Sequence, residues 1–306
     1  MKTNAFERYC TALRDIPPSG GGGCHSALLG IANLGRRAGV ERHQIAQDLA
    51  ASVHGSRKVA AAEIVAAVAK AFESSSRARP ATTRPVVDGE KLLNSITKRG
   101  AAFDDVELWE ASPVRIDWPP ERDATEVLQR LYRPEERLFI GARHDAGVRQ
   151  VLLVSEWIAH FERGIPIAEH IIPNPLTGER GQTKTGKPSY RADSCVAQFR
   201  YAVVEFDAMP REQQIKFWAG VPLPVVALVD SGNKSVHAWI KIGAANTDEW
   251  TLRVEHKLFT LLTAVGADRA CKNEARLSRM PGHFRAEKNR WQRLLYLNPA
   301  GGSLIP

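Results

Sequence analysis

The stretch "VVALVDSGNKSVHAWIKI", residues 225 to 242, constrains the fold more than any other part of the chain. Two short apolar runs rich in Val and Ile, each bounded by turn residues, read as strands. Ser231, Gly232, Asn233, Lys234 and Ser235 join them in a tight turn of small hydrogen-bond donors and one cation. Side chains alternate between the faces of a strand, so His237 shares one face with Trp239 and Lys241. Val236, Ala238, Ile240 and Ile242 then take the opposite, core-facing side. A histidine in that register is either a satisfied structural residue or, given the turn before it, part of an anion site.

Further strands are read at "RLFIGA" (137 to 142) and "YAVVEFD" (201 to 207). "TDEWTLRVEHKLFTLLTAVG" is the clearest helix. Thr247 is placed to cap it, Trp250, Val254, Leu258, Leu261 and Leu262 form a buried stripe, and Gly266 ends it. The first part of the chain is different in kind, Ala-rich and helical. Ala27, Leu28, Ile31 and Leu34 have helical spacing after a glycine-rich turn at 19 to 23. "RHQIAQDLAASV" gives a second helix, and "AAAEIVAAVAKAF" a third with Ile64, Val65, Val68 and Phe72 on one stripe. The polar run "ESSSRARPATTRP", 73 to 85, reads as linker. The expected organisation is a helical bundle over 1–75, a linker over 76–100 and a second domain over 101–306. The class is α+β.

At 306 residues, 43% hydrophobic and 25% charged, the chain can bury the cores of two domains. Four cysteines without CxxC spacing argue against a disulfide framework and a structural zinc site, which points to a reducing, cytoplasmic setting. No apolar run approaches the roughly 20 residues that span a bilayer, so no membrane partner is expected. The net charge of +8 suits a polyanion. It is concentrated between Arg269 and Arg293, where eight Lys or Arg face only Glu274 and Glu287. Most charge runs are solvated faces, but "RLSRMPGHFR" alternates arginines with apolar residues around a Pro-Gly turn, which solubility alone does not require.

"GQTKTGKP" at 181 to 188 spells GxxxxGK, yet Pro188 stands where a phosphate-binding loop needs Ser or Thr, and no helix start follows. The stretch reads instead as a basic loop whose Lys184, Lys187 and Arg191 can touch a phosphate backbone. In "VVEFD", alternation points Glu205 and Asp207 the same way at a strand end. Like charges so close repel, and a divalent cation held by both would offset the repulsion.

In this order, "VVEFD", "SGNKSVHAWI" and "GADRACKNEARLSRMPGHFR" resemble the archaeo-eukaryotic primase superfamily, the primases and primase-polymerases of plasmids, phages, archaea and eukaryotes. The resemblance covers about residues 195 to 295. It implies an α+β catalytic domain built on an RRM-like sheet and a DNA primase or primase-polymerase making primers on single-stranded DNA from NTPs or dNTPs. It further implies that Glu205, Asp207 and Asp268 hold two Mg²⁺ or Mn²⁺ ions, and that Ser235 and His237 contact the triphosphate. Lys234, Arg276 and Arg279 would neutralise phosphate charge, and Arg285, in the same basic stretch, would join Lys184, Lys187 and Arg191 on DNA. The front bundle weakly resembles the small helical domain that accompanies such primases. No motor motif is present, so a replicative helicase would be a separate protein. A non-catalytic replication initiator and a metal-dependent nuclease remain alternatives to this reading.

Overall fold

The computed structural model describes residues 5–19, 24–76, 88–145 and 148–305. The chain divides into two compact units, Met1–Val86 and Val87–Pro306. In the first, helices α1 (Ala5–Arg14), α2 (Cys24–Arg37), α3 (Arg42–Ser52) and α4 (Ala61–Ser76) enclose Tyr9, Leu28, Ile31, Ile45, Leu49, Ile64 and Val68. Tyr9 donates its hydroxyl proton to Asp48 at 2.8 Å, tying α1 to α3. Along α4 the buried stripe is Ile64, Ala67, Val68 and Ala71, whereas Val65, expected inside, is 54% exposed. The glycine turn before α2 lies mostly outside the described residues, as do residues 77–87, which take in most of the polar run of 73–85.

The remainder of the expected 76–100 linker belongs to the second unit. Asp88 caps helix α5 (Gly89–Arg99) by accepting from the Lys91 amide. This helix crosses α9 (Arg211–Gly220) at backbone contact, because a Cβ on Gly100 would stand 2.0 Å from the Lys216 carbonyl oxygen and one on Gly220 2.0 Å from that of Ile96. Only glycine permits that approach. The apolar residues Leu92, Leu93 and Ile96 were hidden in a stretch dominated by polar side chains.

The unit also contains helices α6 (Asp105–Ala111), α7 (Asp123–Leu131) and α8 (Val154–Glu162). Its strands, in chain order, are β1 (Arg137–Gly141), β2 (Val151–Leu153), β3 (His170–Ile171), β4 (Gly181–Gln182), β5 (Pro188–Ser189) and β6 (Phe199–Val204). They continue with β7 (Val225–Asp230), β8 (Val236–Ala244), β9 (Ser278–Arg279), β10 (Phe284–Arg285), β11 (Arg290–Trp291) and β12 (Arg293–Gly302). The larger sheet is antiparallel in the order β12-β7-β8-β6, and a smaller antiparallel one runs β2-β1-β3-β9. Helices and antiparallel sheets together make the unit α+β. Element order in the larger sheet is β-α-β-β-α-β. In the RRM-like order the last strand flanks the first, whereas here β12 flanks the second strand, β7.

Both faces of this sheet are covered, which corrects the one-sided reading of the His237 strand. Ala202, Val204, Leu228, Ala238 and Ile240 pack with α5 and α9, while Val203, Val229, Trp239 and Leu294 pack under α7 and α8. The long helix over 247–265 also differs from expectation. Asn246, not Thr247, caps it by accepting from the Glu249 amide, and Thr251–Leu258 is a π-helical stretch. The wider turn shifts the inward register, so Trp250, Val254, Phe259 and Leu262 are buried and Leu261 is 50% exposed. Gly266 ends the segment at φ 95°.

Candidate active site

The two sheets meet where β8 faces β9. Trp239 Nε1 donates to Ser278 Oγ at 2.7 Å, and two residues earlier His237 Nδ1 accepts from the Arg279 amide at 3.4 Å. His170 stands opposite Arg279 in the β3-β9 ladder. Between the sheets opens a cleft of about 350 Å³ whose lining includes Arg143, His170, Arg191, Arg276, Arg279 and Glu205. His144 and His237 complete a basic wall in which Glu205 supplies the carboxylate. Such a wall suits an anion carrying several charges.

Glu205 follows the last residue of β6 and turns inward. Its Oε2 accepts from His237 Nε2 at 3.1 Å and its Oε1 from Arg276 Nη2 at 2.5 Å. Because the Arg279 amide can only donate, His237 Nδ1 must accept, which places the ring proton on Nε2, toward Glu205. Burial pushes the Glu205 carboxyl up, but hydrogen bonding and charge from His237 and then Arg276 outweigh it and hold the group well below the ordinary carboxylate range.

Asp268 lies beside Glu205 because its amide donates to the Glu205 carbonyl at 3.0 Å. One carboxylate oxygen caps the following turn at the Ala270 amide, and the other takes Arg276 Nη2 at 3.0 Å. Arg276 is thus a bridge between two carboxylates, with its Nη1 on the Ala270 carbonyl. Cys271, fully buried, completes the group: its Sγ lies 3.7 Å from Glu205 and 3.8 Å from Asp268. Burial pushes its thiol up to about 12, with Arg276 opposing and the two carboxylates adding to the rise.

Ligand atoms of Glu205, Asp268 and Cys271 all lie within 4.8 Å of one another. Asp207, the second expected metal ligand, is not among them. It is exposed, and its backbone carbonyl accepts from Lys234 Nζ at 2.8 Å. The donor set suits a hard divalent ion through its two carboxylates and not through its protonated thiol. The position between those carboxylates already attracts a cation, Arg276, whose buried Nε is left without a partner. Glu205 and Asp268 are therefore the residues that would hold Mg²⁺ or Mn²⁺.

A buried amide fixes the loops around this group. Gln214 on α9 reaches the carbonyls of Phe206, Met209 and Lys234 through Nε2 and accepts from the Val236 amide through Oε1 at 2.8 Å. It clamps the chain after Glu205 to the chain before His237. Ser235 is buried, its amide donating to Ser231 Oγ at 3.1 Å, and Lys234 is exposed.

Of the residues expected on DNA, Lys184 and Lys187 project from a β4-β5 hairpin, with Lys184 3.3 Å from Asp193. That hairpin is what "GQTKTGKP" forms, and no α-helix starts from it; only a single 3-10 turn, Asp193–Cys195, comes before β6. Arg191 turns into the cleft and donates to the carbonyls of Arg143 and Asp145. Arg285 is largely buried, held by Glu287 and the Ser231 carbonyl.

His170, Arg143, His144, Gln214 and Cys271 were not singled out from sequence. His170 is 7% exposed; its Nδ1 lies 3.2 Å from Glu169 Oε1 but off hydrogen-bonding geometry. Burial, then the charge of Arg279, lower its pKa to about 4, with Glu169 opposing, so the ring is neutral at pH 7. "AEHIIP" carries an apolar pair after a histidine, a strand signal too short to separate from a loop.

No protein-family model matches the chain, and no curated protein matches it. Among solved structures, the AEP domain of the cyanophage S-2L primase-polymerase (PrimPol) is similar over 59% of this chain and 93% of its own, at 14% identity and a TM-score of 0.41. Among the described residues, no helix is long and apolar enough to cross a membrane.

Proposed function

We propose that the chain is a metal-dependent nucleotidyltransferase of primase-polymerase type, joining nucleoside triphosphates on a single-stranded DNA template. The observation that carries this reading is the cleft itself, where two adjacent carboxylates stand at the edge of a wall of arginines and histidines. Arg143, Arg191 and Arg279 offer charge to a triphosphate, and arginine does so in bidentate geometry. Neutral His170 offers a hydrogen bond without further charge. Glu205 and Asp268 would hold the divalent ion, which would stabilise negative charge on the attacking 3′-hydroxyl and the departing pyrophosphate. His237 orients the Glu205 carboxylate, and Gln214 fixes the two loops that carry these groups. Arg276 neutralises the carboxylate pair.

The test is incorporation of labelled NTPs and dNTPs on primed and unprimed single-stranded DNA with Mg²⁺ or Mn²⁺. Wild type should incorporate, and Glu205→Gln should lose more than about 100-fold, beyond the usual effect of an outer-shell group. Unchanged incorporation by a folded Glu205→Gln would overturn the reading. Degradation of the DNA without nucleotides would point to a nuclease.

A further inference from the structure

Strands β10 and β11 form a hairpin over "FRAEKNRW", and its composition is unlike that of a surface turn kept only for solubility. Phe284 and Trp291 are cross-strand partners on one face, ring centroids 5.0 Å apart at 57°. Phe284 is 41% exposed and Trp291 half-buried, so the pair presents the phenylalanine ring to solvent. On the other face Arg285 stands directly across from Arg290, an arrangement of like charges that costs a hairpin stability. Glu287 answers Arg285 at 2.7 Å, while Lys288 and Arg290 stay exposed.

The hairpin is held firmly in place. Asn289 takes the left-handed conformation at its tip, φ 51°, and the ladder continues into Gly282 and His283 through their bonds with Gln292. Arg285 Nη1 donates to the Ser231 carbonyl at 3.1 Å. Gly232, at φ 67°, lets the Trp291 carbonyl approach so closely that a Cβ there would lie 3.0 Å from its oxygen. The hairpin is therefore built onto the turn that leads to Ser235 and His237, beside the cleft.

We propose that this hairpin is a docking surface for a single nucleic-acid strand, with a base stacked on the Phe284–Trp291 pair and phosphates against Lys288 and Arg290. Every base has a π-face, so aromatic platforms flanked by cations bind single strands with little sequence preference. A duplex keeps its bases inside and offers the pair nothing to stack on. The proposal rests on the nucleic-acid reading above and adds the path of the strand, which reaches the cleft past the 231–235 turn. It also reassigns Arg285 from a DNA contact to the brace that fixes the hairpin.

The experiment measures binding of a fluorescent single-stranded DNA of mixed sequence to the full chain by anisotropy, at several salt concentrations, with duplex DNA alongside. Phe284→Ala should weaken single-strand binding about 5- to 150-fold and Phe284→Tyr should restore it. Lys288→Ala and Arg290→Ala should each reduce the slope of log affinity against log salt by about 0.7. Melting curves should match wild type, since Phe284 is partly exposed. Unchanged affinity in folded Phe284→Ala and in the Lys288→Ala/Arg290→Ala pair would overturn the proposal. So would Phe284→Ala converting a dimer to a monomer at unchanged DNA affinity, which would make the pair a self-association surface. Incorporation assays separate this from the functional reading. Incorporation with hairpin-independent binding sinks the hairpin alone, and hairpin-dependent binding without incorporation sinks the catalytic reading alone.

Discussion

The His237 imidazole donates through Nε2 to the Glu205 carboxylate at 3.1 Å while its Nδ1 accepts from the Arg279 amide, so one ring spans the two sheets and aims the acid between them. Glu205 is held below the ordinary carboxylate range, against burial, by His237 and Arg276. A depressed folded pKa contributes stability that is present above the unfolded value of about 4.5 and lost as pH falls below it. Glu205→Gln should therefore lower the melting temperature at pH 7 and flatten its decline in acid. Melting curves from pH 7 to pH 3 check this, and an identical acid slope in the variant would show that the carboxylate is not so held.

His237→Ala removes the donor to Glu205 and leaves the Arg279 amide without its acceptor. A hydrogen bond to a charged group is worth roughly 1.5 to 3 kcal/mol. The variant should lose about that much stability, and nucleotide incorporation should fall further than folded fraction explains. His237→Gln, which can still donate, should recover part of the activity. Equal activity per folded molecule in wild type and His237→Ala would reduce the histidine to a structural residue.

The thiol of Cys271 is pushed up to about 12, chiefly by burial, and so stays protonated at pH 8. Since the thiolate is the nucleophile, Cys271 should resist iodoacetamide in the folded protein while the half-buried Cys10 reacts. Peptide mass spectrometry before and after denaturation reads this directly. Rapid native alkylation of Cys271 would show a thiolate, and with it a softer metal site than two carboxylates make.

What was legible in the sequence follows from period and length. Strands β6, β7 and β8 have five or more residues, enough for apolar alternation and flanking turns to show, and they deliver Glu205 and His237 to adjacent strands. The two-residue ladder of β3 and β9 has no period to read, so His170 stayed hidden although Arg279, its partner, was singled out for its charge. The π-helical stretch could not be seen either, since a template of 3.6 residues per turn assigns Leu261 the place that Phe259 takes. Gly100 and Gly220 look like punctuation until the α5-α9 crossing shows why neither can carry a side chain.

The two units have separate cores, which bears on how the chain can be cut. A chain beginning at Asp88 keeps the α5 cap and every residue of the cleft. It should melt cooperatively and extend a supplied primer, and if the front helices serve initiation it should start new primers poorly. Comparing primed and unprimed templates measures both. Equal initiation by the shortened and full chains would take the front unit out of priming.

Gln214 offers the sharpest test of how the site is held together. Its side chain is fully buried and joins the carbonyls of Phe206, Met209 and Lys234 to the amide of Val236, with Phe206 and Val236 in the core. Gln214→Leu fills much the same space and abandons all four, and each buried group left unpaired costs about 1 to 3 kcal/mol before relaxation. The loops can move apart to reach solvent, so the net loss should be smaller than that sum, about 2 to 4 kcal/mol. The movement is what matters for chemistry, because it separates Glu205 from His237. Incorporation should therefore fall in molecules that remain folded at low temperature, with a larger drop in kcat than a rise in KM for the nucleotide. Gln214→Glu keeps an acceptor for Val236 but sets a carboxylate against three carbonyls, and it should be worse at pH 8 than at pH 5, where protonation restores one donor. Denaturant curves and incorporation at both pH values measure these effects, and a Gln214→Leu chain as stable and as active as wild type would show that the clamp positions nothing.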